Sequence, residues 1–126
     1  VNSRQELFGM QTSDNFELEI LNGKLHWELT DTYSSKTLAV NTNYFVEFKK
    51  VKKECFVKIY TYNANNDKLL YDEFKSTVLR ECSNQYLYLG IDVAHGGTGG
   101  IEQFKGKIHC PGSYLIYNDK QYNFRI

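Results

Sequence analysis

Glu17 and Glu19 stand one residue apart in the run Phe16-Glu-Leu-Glu-Ile20. On a strand that spacing points both carboxylates to the same face. Two carboxyl groups about 5–5.5 Å apart can serve as acid and nucleophile on either side of a glycosidic bond. The plainer reading is the wet side of a half-buried strand, where charged residues alternate with apolar ones. Nucleophilic catalysis would need a Ser or Cys with a His and an orienting acid. The chain offers His26, His95 and His109 with Cys55, Cys82 and Cys110, and it has no Gly-x-Ser-x-Gly elbow. His109 and Cys110 are adjacent, so on a strand they point to opposite faces. Gly96-Gly97-Thr98-Gly99-Gly100 lacks the lysine of a phosphate loop and opens no helix, so it reads as a flexible connection. His95 at its start is a candidate for the edge of a ligand site. No two cysteines are close enough for a zinc knuckle or a redox pair, and the odd number leaves at least one without a partner in the chain. Three free thiols are expected, with Cys55 and Cys110 as small buried hydrophobes. A single bridge is the alternative, and it would indicate an oxidising compartment. The expectation is a protein without catalytic residues, resident metal or cofactor.

Aromatic side chains offer a different chemistry. They make up 15% of the chain, with ten Tyr and eight Phe. A sugar ring presents C–H groups on one face, and an exposed Tyr gives it a flat apolar platform with a polar rim. Tyr60, Tyr62, Tyr86 and Tyr88 fall on alternating positions opposite the expected core faces. His26, Glu28, Lys58 and Lys105 could supply hydrogen bonds beside them. The competing reading is that this side is covered by a loop or a neighbouring domain. Trp27 shares a face with Leu25 and Leu29 and is assigned to the core.

These residues are carried on short runs of period two separated by turn residues. Phe16, Leu18 and Ile20 alternate with the two glutamates. Asn22-Gly23 follows, a strong two-residue hairpin signal because both types tolerate positive φ. The return run puts Leu25, Trp27 and Leu29 on one side, with His26 and Glu28 on the other. After a looser stretch over 31–42, strands are expected at 44–51, 54–62, 69–74 and 86–91. Three closing strands are expected near 103–110, 113–117 and 122–126. Asn63–Asp67 and Asn118-Asp119 read as turns whose side chains satisfy their own backbone. No helix is convincing. About ten short strands in a single domain over 1–126 describe an all-β, two-sheet antiparallel sandwich.

Composition narrows the partners. Fifteen basic and fifteen acidic residues give a formal net charge of zero, which argues against nucleic acid, whose binding relies on a basic face. The lysine-rich run Lys49-Lys50-Val51-Lys52-Lys53 reads most simply as a solvated hairpin end. No apolar run approaches the roughly twenty residues of a membrane span. Val1 reads as a cut point, so a module of a longer chain is expected.

The order of these pieces resembles the concanavalin A-like, or laminin G-like, jelly-roll superfamily. Three segments carry the resemblance: Phe16-Glu-Leu-Glu-Ile-Leu-Asn-Gly-Lys-Leu-His-Trp27; the strand pair 44–49 and 56–62; and Leu87-Tyr-Leu-Gly90 followed by the Gly-rich loop and Phe104-Lys-Gly-Lys-Ile108. The closing strands, with Ser113-Tyr-Leu-Ile-Tyr-Asn118, are similar to those of modules in tail and baseplate proteins of phages that infect Gram-positive bacteria. The resemblance implies a jelly roll, a non-catalytic carbohydrate-binding or adhesion role, and a place in a virion or on an extracellular surface. Its ligand would be a cell-wall or surface polysaccharide. A spacer that packs against sister domains of the same assembly is the alternative. Hydrolases of the superfamily carry Glu-x-Asp-x-x-Glu or a variant on one strand; here Glu17-Leu-Glu19 is followed by Leu21 or Asn22, so the set is incomplete. Related modules hold calcium at a loop edge through carboxylates and carbonyls, which suit a hard cation. Asp14, Asp31 and Asp92 would be the candidates, although nothing in their spacing enforces a site.

Overall fold

Asn22 and Gly23 both take positive φ, 52° and 81°, the turn geometry whose twist matches two antiparallel strands. They join β2 (Glu17–Leu21) to β3 (Lys24–Trp27), paired as Leu18 with Trp27, Glu19 with His26 and Ile20 with Leu25. The structure is a computed structural model. It describes residues 4–10, 17–77, 87–89, 104–109, 112–117 and 119–123, with 10, 87–89 and 117 in backbone only.

A strand absent from the sequence expectation lies beside β2. This β1 (Arg4–Met10) pairs antiparallel with it. A bulge between Glu6 and Phe8 turns both Leu7 and Phe8 toward the core, which breaks the alternation that marks a strand in sequence. β4 (Thr32–Tyr33) borders β3, and β8 (Leu87–Leu89) borders β1, giving a sheet ordered β4-β3-β2-β1-β8. The run expected to continue through Leu29 ends at Trp27 instead. Glu28–Thr30 forms a 3-10 turn closed by Asp31 at φ 54°, whose N–H donates to the Glu28 carbonyl at 3.2 Å.

The second sheet is the meander β5 (Phe45–Val51), β6 (Glu54–Tyr62) and β7 (Lys68–Thr77). The β6–β7 connection is closed by the Asn63 side chain, whose Oδ1 accepts from the N–H groups of Asn65 and Asp67, each at 2.9 Å. β7 outruns its expected span of 69–74, and a bulge opposite Ile59 and Tyr60 leaves Tyr71 as the extra residue. Tyr71 donates its hydroxyl to the Thr37 carbonyl at 2.7 Å, while Asp72 accepts from Ser35 Oγ and the Lys36 N–H. These contacts tie the connection after β4 to the second sheet.

Leu18, Leu25 and Trp27 of the first sheet meet Cys55, Val57 and Ile59 of the second, all at 0–1% exposure. Phe48 bridges them, its ring centroid 5.0 Å from those of both Phe8 and Trp27. Burying each large apolar side chain contributes roughly 1.5–3 kcal/mol. Two antiparallel sheets facing each other across one core make the protein all-β and consistent with a sandwich. Among the described residues there is no α-helix.

β9 (Tyr114–Tyr117) and β10 (Lys120–Asn123) form a separate two-stranded ribbon, with Asp119 at φ 63° in its turn. The strand expected near 103–110 is not formed over 104–109. Residues 124–126 of the last expected strand lie outside the described residues.

Candidate functional site

Alternation along β6 sends Cys55, Val57 and Ile59 into the core and Phe56, Lys58, Tyr60 and Tyr62 outward. Register then assembles the outer face of the three-stranded sheet in rows. Lys49, Phe56 and Lys75 make one row; Glu47, Lys58 and Glu73 the next; Phe45, Tyr60 and Leu70 the third; Tyr62 stands opposite Lys68 beyond them. Directly opposed side chains have Cβ atoms about 4.5–5.5 Å apart, close enough to interact.

The three rows differ chemically. Phe45 and Tyr60 pack edge to face with centroids 6.0 Å apart, and the Lys68 ammonium lies 4.0 Å from the Phe45 centroid and 5.7 Å from that of Tyr60. That places a cation over two aromatic faces. Leu70 is 53% exposed and Tyr62 41%, so this end is an open apolar surface with a polar rim. In the middle row Lys58 sits between two glutamates, which offset its charge. At the other end, a cavity of about 310 Å³ opens beside Phe56 and is lined by Lys58, Glu73, Phe74 and Lys75. Phe56 and Tyr60 are four residues apart along β6, so the two ends are separated by about 13 Å.

The expected site residues therefore divide. Tyr60, Tyr62 and Lys58 share this face. His26 and Glu28 do not: His26 lies on β3 of the first sheet, on the side away from the core, Glu28 opens the 3-10 turn that follows it, and neither can serve beside Tyr60. Tyr88 stands opposite Gly9 in the β1–β8 pairing, again on the first sheet. Lys105 is exposed, and its backbone N–H donates to Gln5 Oε1 at 2.9 Å. Tyr86 and His95 lie outside the described residues, as do Asp14, Asp92, Cys82 and Cys110. Phe45, Phe56 and Lys68 complete this face beside the expected residues. Phe56 is legible from the alternation of β6 itself, and register finds the other two, because Phe45 stands across from Tyr60 and Lys68 across from Tyr62.

The far side of the first sheet holds a polar network where a wet face was expected. Glu17 and Glu19 are 1% and 0% exposed, and Glu6 is 0% exposed. His26, also buried, places Nδ1 2.7 Å from Glu19 Oε1 and Nε2 2.7 Å from Asp31 Oδ1. Both nitrogens donate only in the doubly protonated ring; otherwise one facing carboxyl carries the proton. Arg4 adds Nε at 3.5 Å from Glu19 Oε2 and Nη1 at 3.2 Å from Glu28 Oε1. The Tyr33 ring stacks on His26 at 4.2 Å. Burial pushes the Glu19 carboxyl above its usual range, against the opposing effects of the His26 hydrogen bond and Arg4. The His26 hydrogen bond, followed by one from Tyr33, holds the Asp31 carboxyl below its usual range. Asp31, a calcium candidate by sequence, is thus engaged by a ring nitrogen.

Carboxylate oxygens of Glu6, Glu17 and Glu19 lie within 4.8 Å of one another, a spacing that a hard cation bridges with oxygen ligands. Gly9 makes room for the group: an added Cβ would lie 2.6 Å from Glu6 Oε1 and 3.1 Å from Glu17 Cγ. Cys55 sits wholly inside the core, and burial raises its thiol pKa, which makes it a packing residue and a poor nucleophile.

The chain matches no protein-family model, and comparison with curated proteins and with solved structures finds no match.

Proposed function

We propose that the chain is a non-catalytic glycan-binding module of the concanavalin A-like jelly-roll type, acting in adhesion at a virion or cell surface. The observation that carries this reading is the outward row Phe45–Tyr60–Leu70 with Tyr62 and Lys68 beside it. It is an apolar surface of ring size on a sheet face, with the Lys68 ammonium over the Phe45 and Tyr60 rings and Leu70 and Tyr62 exposed beside them. Stacking on such a platform contributes about 0.5–1.5 kcal/mol per ring, so one site is weak, and repeated copies raise avidity through effective concentration. Glu17 and Glu19 are 1% and 0% exposed, which supports treating them as members of an internal network rather than as groups that meet a substrate. Calorimetry with host cell-wall polysaccharide tests the reading. Tyr60→Ala and Phe45→Ala are each expected to weaken binding up to roughly tenfold while the fold persists. A folded protein that binds no glycan on a broad array would sink the idea.

A second reading rests on the β9–β10 ribbon. Tyr114, Leu115, Ile116 and Tyr122 are 48%, 38%, 59% and 46% exposed, and the two residues of each neighbouring pair point to opposite faces. A two-stranded ribbon is marginal by itself, so an element of this kind suits packing against a sister domain. Concentration-dependent self-association that Ile116→Asp abolishes would favour that spacer role.

A further inference from the structure

The lysines of the second sheet are concentrated at one end. Lys49 and Lys75 flank Phe56 in one row, and the β5–β6 turn next to it carries Lys52 and Lys53, with Lys50 on the adjoining strand. All five are exposed; Glu54 lies among them, and Glu47 and Glu73 stand in the adjoining row. The protein as a whole is neutral; here five lysines outnumber the three acidic residues beside them, while three other glutamates are buried in the first sheet. Exposed like charges packed this closely repel one another and do nothing for folding.

The backbone gives an independent sign that the charge is retained at a cost. Among the described residues, six other than glycine take positive φ. Five are Asn or Asp, the types that tolerate it, and the sixth is Lys52 at φ 55°. A tight hairpin turn at this position favours Gly or Asn. A lysine held there violates the local rule, and such violations cluster where function demands them.

We propose that the ligand of this face is an anionic polysaccharide, bearing carboxylate or phosphate groups, and that Lys49, Lys52, Lys53 and Lys75 contact its charges around Phe56. This rests on the glycan-binding reading above. The charged residue of the polymer lies over Phe56 between Lys49 and Lys75, while Phe45 and Tyr60, about 13 Å further along β6, contact a sugar ring of the same chain. Charge complementarity selects the polymer, and the aromatic row holds it.

Calorimetry of the full chain with alginate, a phosphomannan, neutral dextran and a thymidine oligonucleotide separates the possibilities. Expected is binding to alginate or phosphomannan, the preferred one identifying the acidic group, at least roughly tenfold tighter than to dextran and weakening as salt screens the contacts. The Lys49→Gln/Lys75→Gln pair should lower that affinity about fivefold. Lys52→Asn should lower it while raising the melting temperature, a combination that a purely structural lysine would not give. Equal, salt-insensitive binding to dextran overturns this inference and leaves the glycan reading standing. Absence of binding to every polysaccharide by the folded protein removes both. Tighter binding to the oligonucleotide overturns the inference in favour of nucleic acid, and unchanged affinity in Lys52→Asn removes the turn from the contact surface.

Discussion

His26 spans two carboxylates of opposite character: Glu19, buried on the neighbouring strand, and Asp31, 77% exposed in its side chain, each 2.7 Å from one ring nitrogen. The ring fastens β2 to the turn that follows β3. It also couples two groups whose pKa values move apart, one raised by burial and the other lowered by hydrogen bonding.

That divergence sets a pH dependence with two limbs. The folded pKa of Glu19 is raised above 4.5, so its contribution to stability is fully present below 4.5 and is lost as pH rises through the folded value. The folded pKa of Asp31 is lowered below 3.8, so its contribution is present above 3.8 and is lost as pH falls through the folded value. Urea unfolding across pH 2–7 should therefore show Glu19→Gln flattening the upper limb and Asp31→Asn flattening the lower one. A Glu19→Gln profile parallel to that of the unmodified protein above pH 4.5 would contradict the assignment.

Gly9 is expected to be intolerant of any side chain. Gly9→Ala forces the new Cβ against Glu6 Oε1, 2.6 Å away, and Glu6 is buried, so its carboxylate has little freedom to withdraw. Overpacking of this kind costs about 1–3 kcal/mol. Adding Glu6→Ala should recover part of that loss, a non-additivity that a double-mutant cycle measures directly. Strictly additive effects would mean that the two positions do not contend for the same space.

Trp27 is the single tryptophan and is 0% exposed. Its emission should be blue-shifted in the folded protein and shift red on unfolding, in step with the loss of strand signal in circular dichroism if the two sheets unfold as one unit. Trp27→Ala should cost about 3–5 kcal/mol. Trp27→Phe should cost less, chiefly the Nε1–H donated to the Thr77 carbonyl at 3.4 Å and the lost ring volume.

Lys52→Gly relieves the left-handed conformation at φ 55°, which costs about 1–2 kcal/mol, and after glycine's own entropic cost should stabilise the protein by about 0.5–1 kcal/mol. Equilibrium unfolding checks this: a loss of stability would mean that the lysine side chain supplies a contact worth more than its backbone strain.

Much of this architecture was legible in sequence because hairpin chemistry and alternation are local. Asn22-Gly23 and the run 54–62 announced their geometry without reference to the rest of the chain. Alternation, however, distinguishes the two faces of a strand without saying which of them is covered. Glu17, Glu19 and His26 read as a wet face, yet they are buried, with Glu19 met by His26 and by Arg4 from a strand that alternation does not reveal. The division of the expected site residues has the same origin. Tyr60 and His26 both lie opposite core residues, but on different sheets, and assignment to a sheet depends on pairing between distant segments. Phe45 and Lys68 became visible as partners of Tyr60 only through cross-strand register.

The bulge in β1 has a consequence for how this sequence can change through descent. Because Leu7 and Phe8 both face the core while Glu6 and Gly9 face the other side, the strand is out of phase with itself across one residue. Losing Leu7 would leave Gln5 and Phe8 toward the core and Glu6 and Gly9 away from it, in unbroken register with β2, whereas gaining or losing any residue that does have a partner on β2 would turn apolar groups outward or charged ones inward. Changes of length are therefore confined to the bulge itself and to connections such as 63–67, where every paired residue stays in frame, and the rest of β1 is edited by substitution alone.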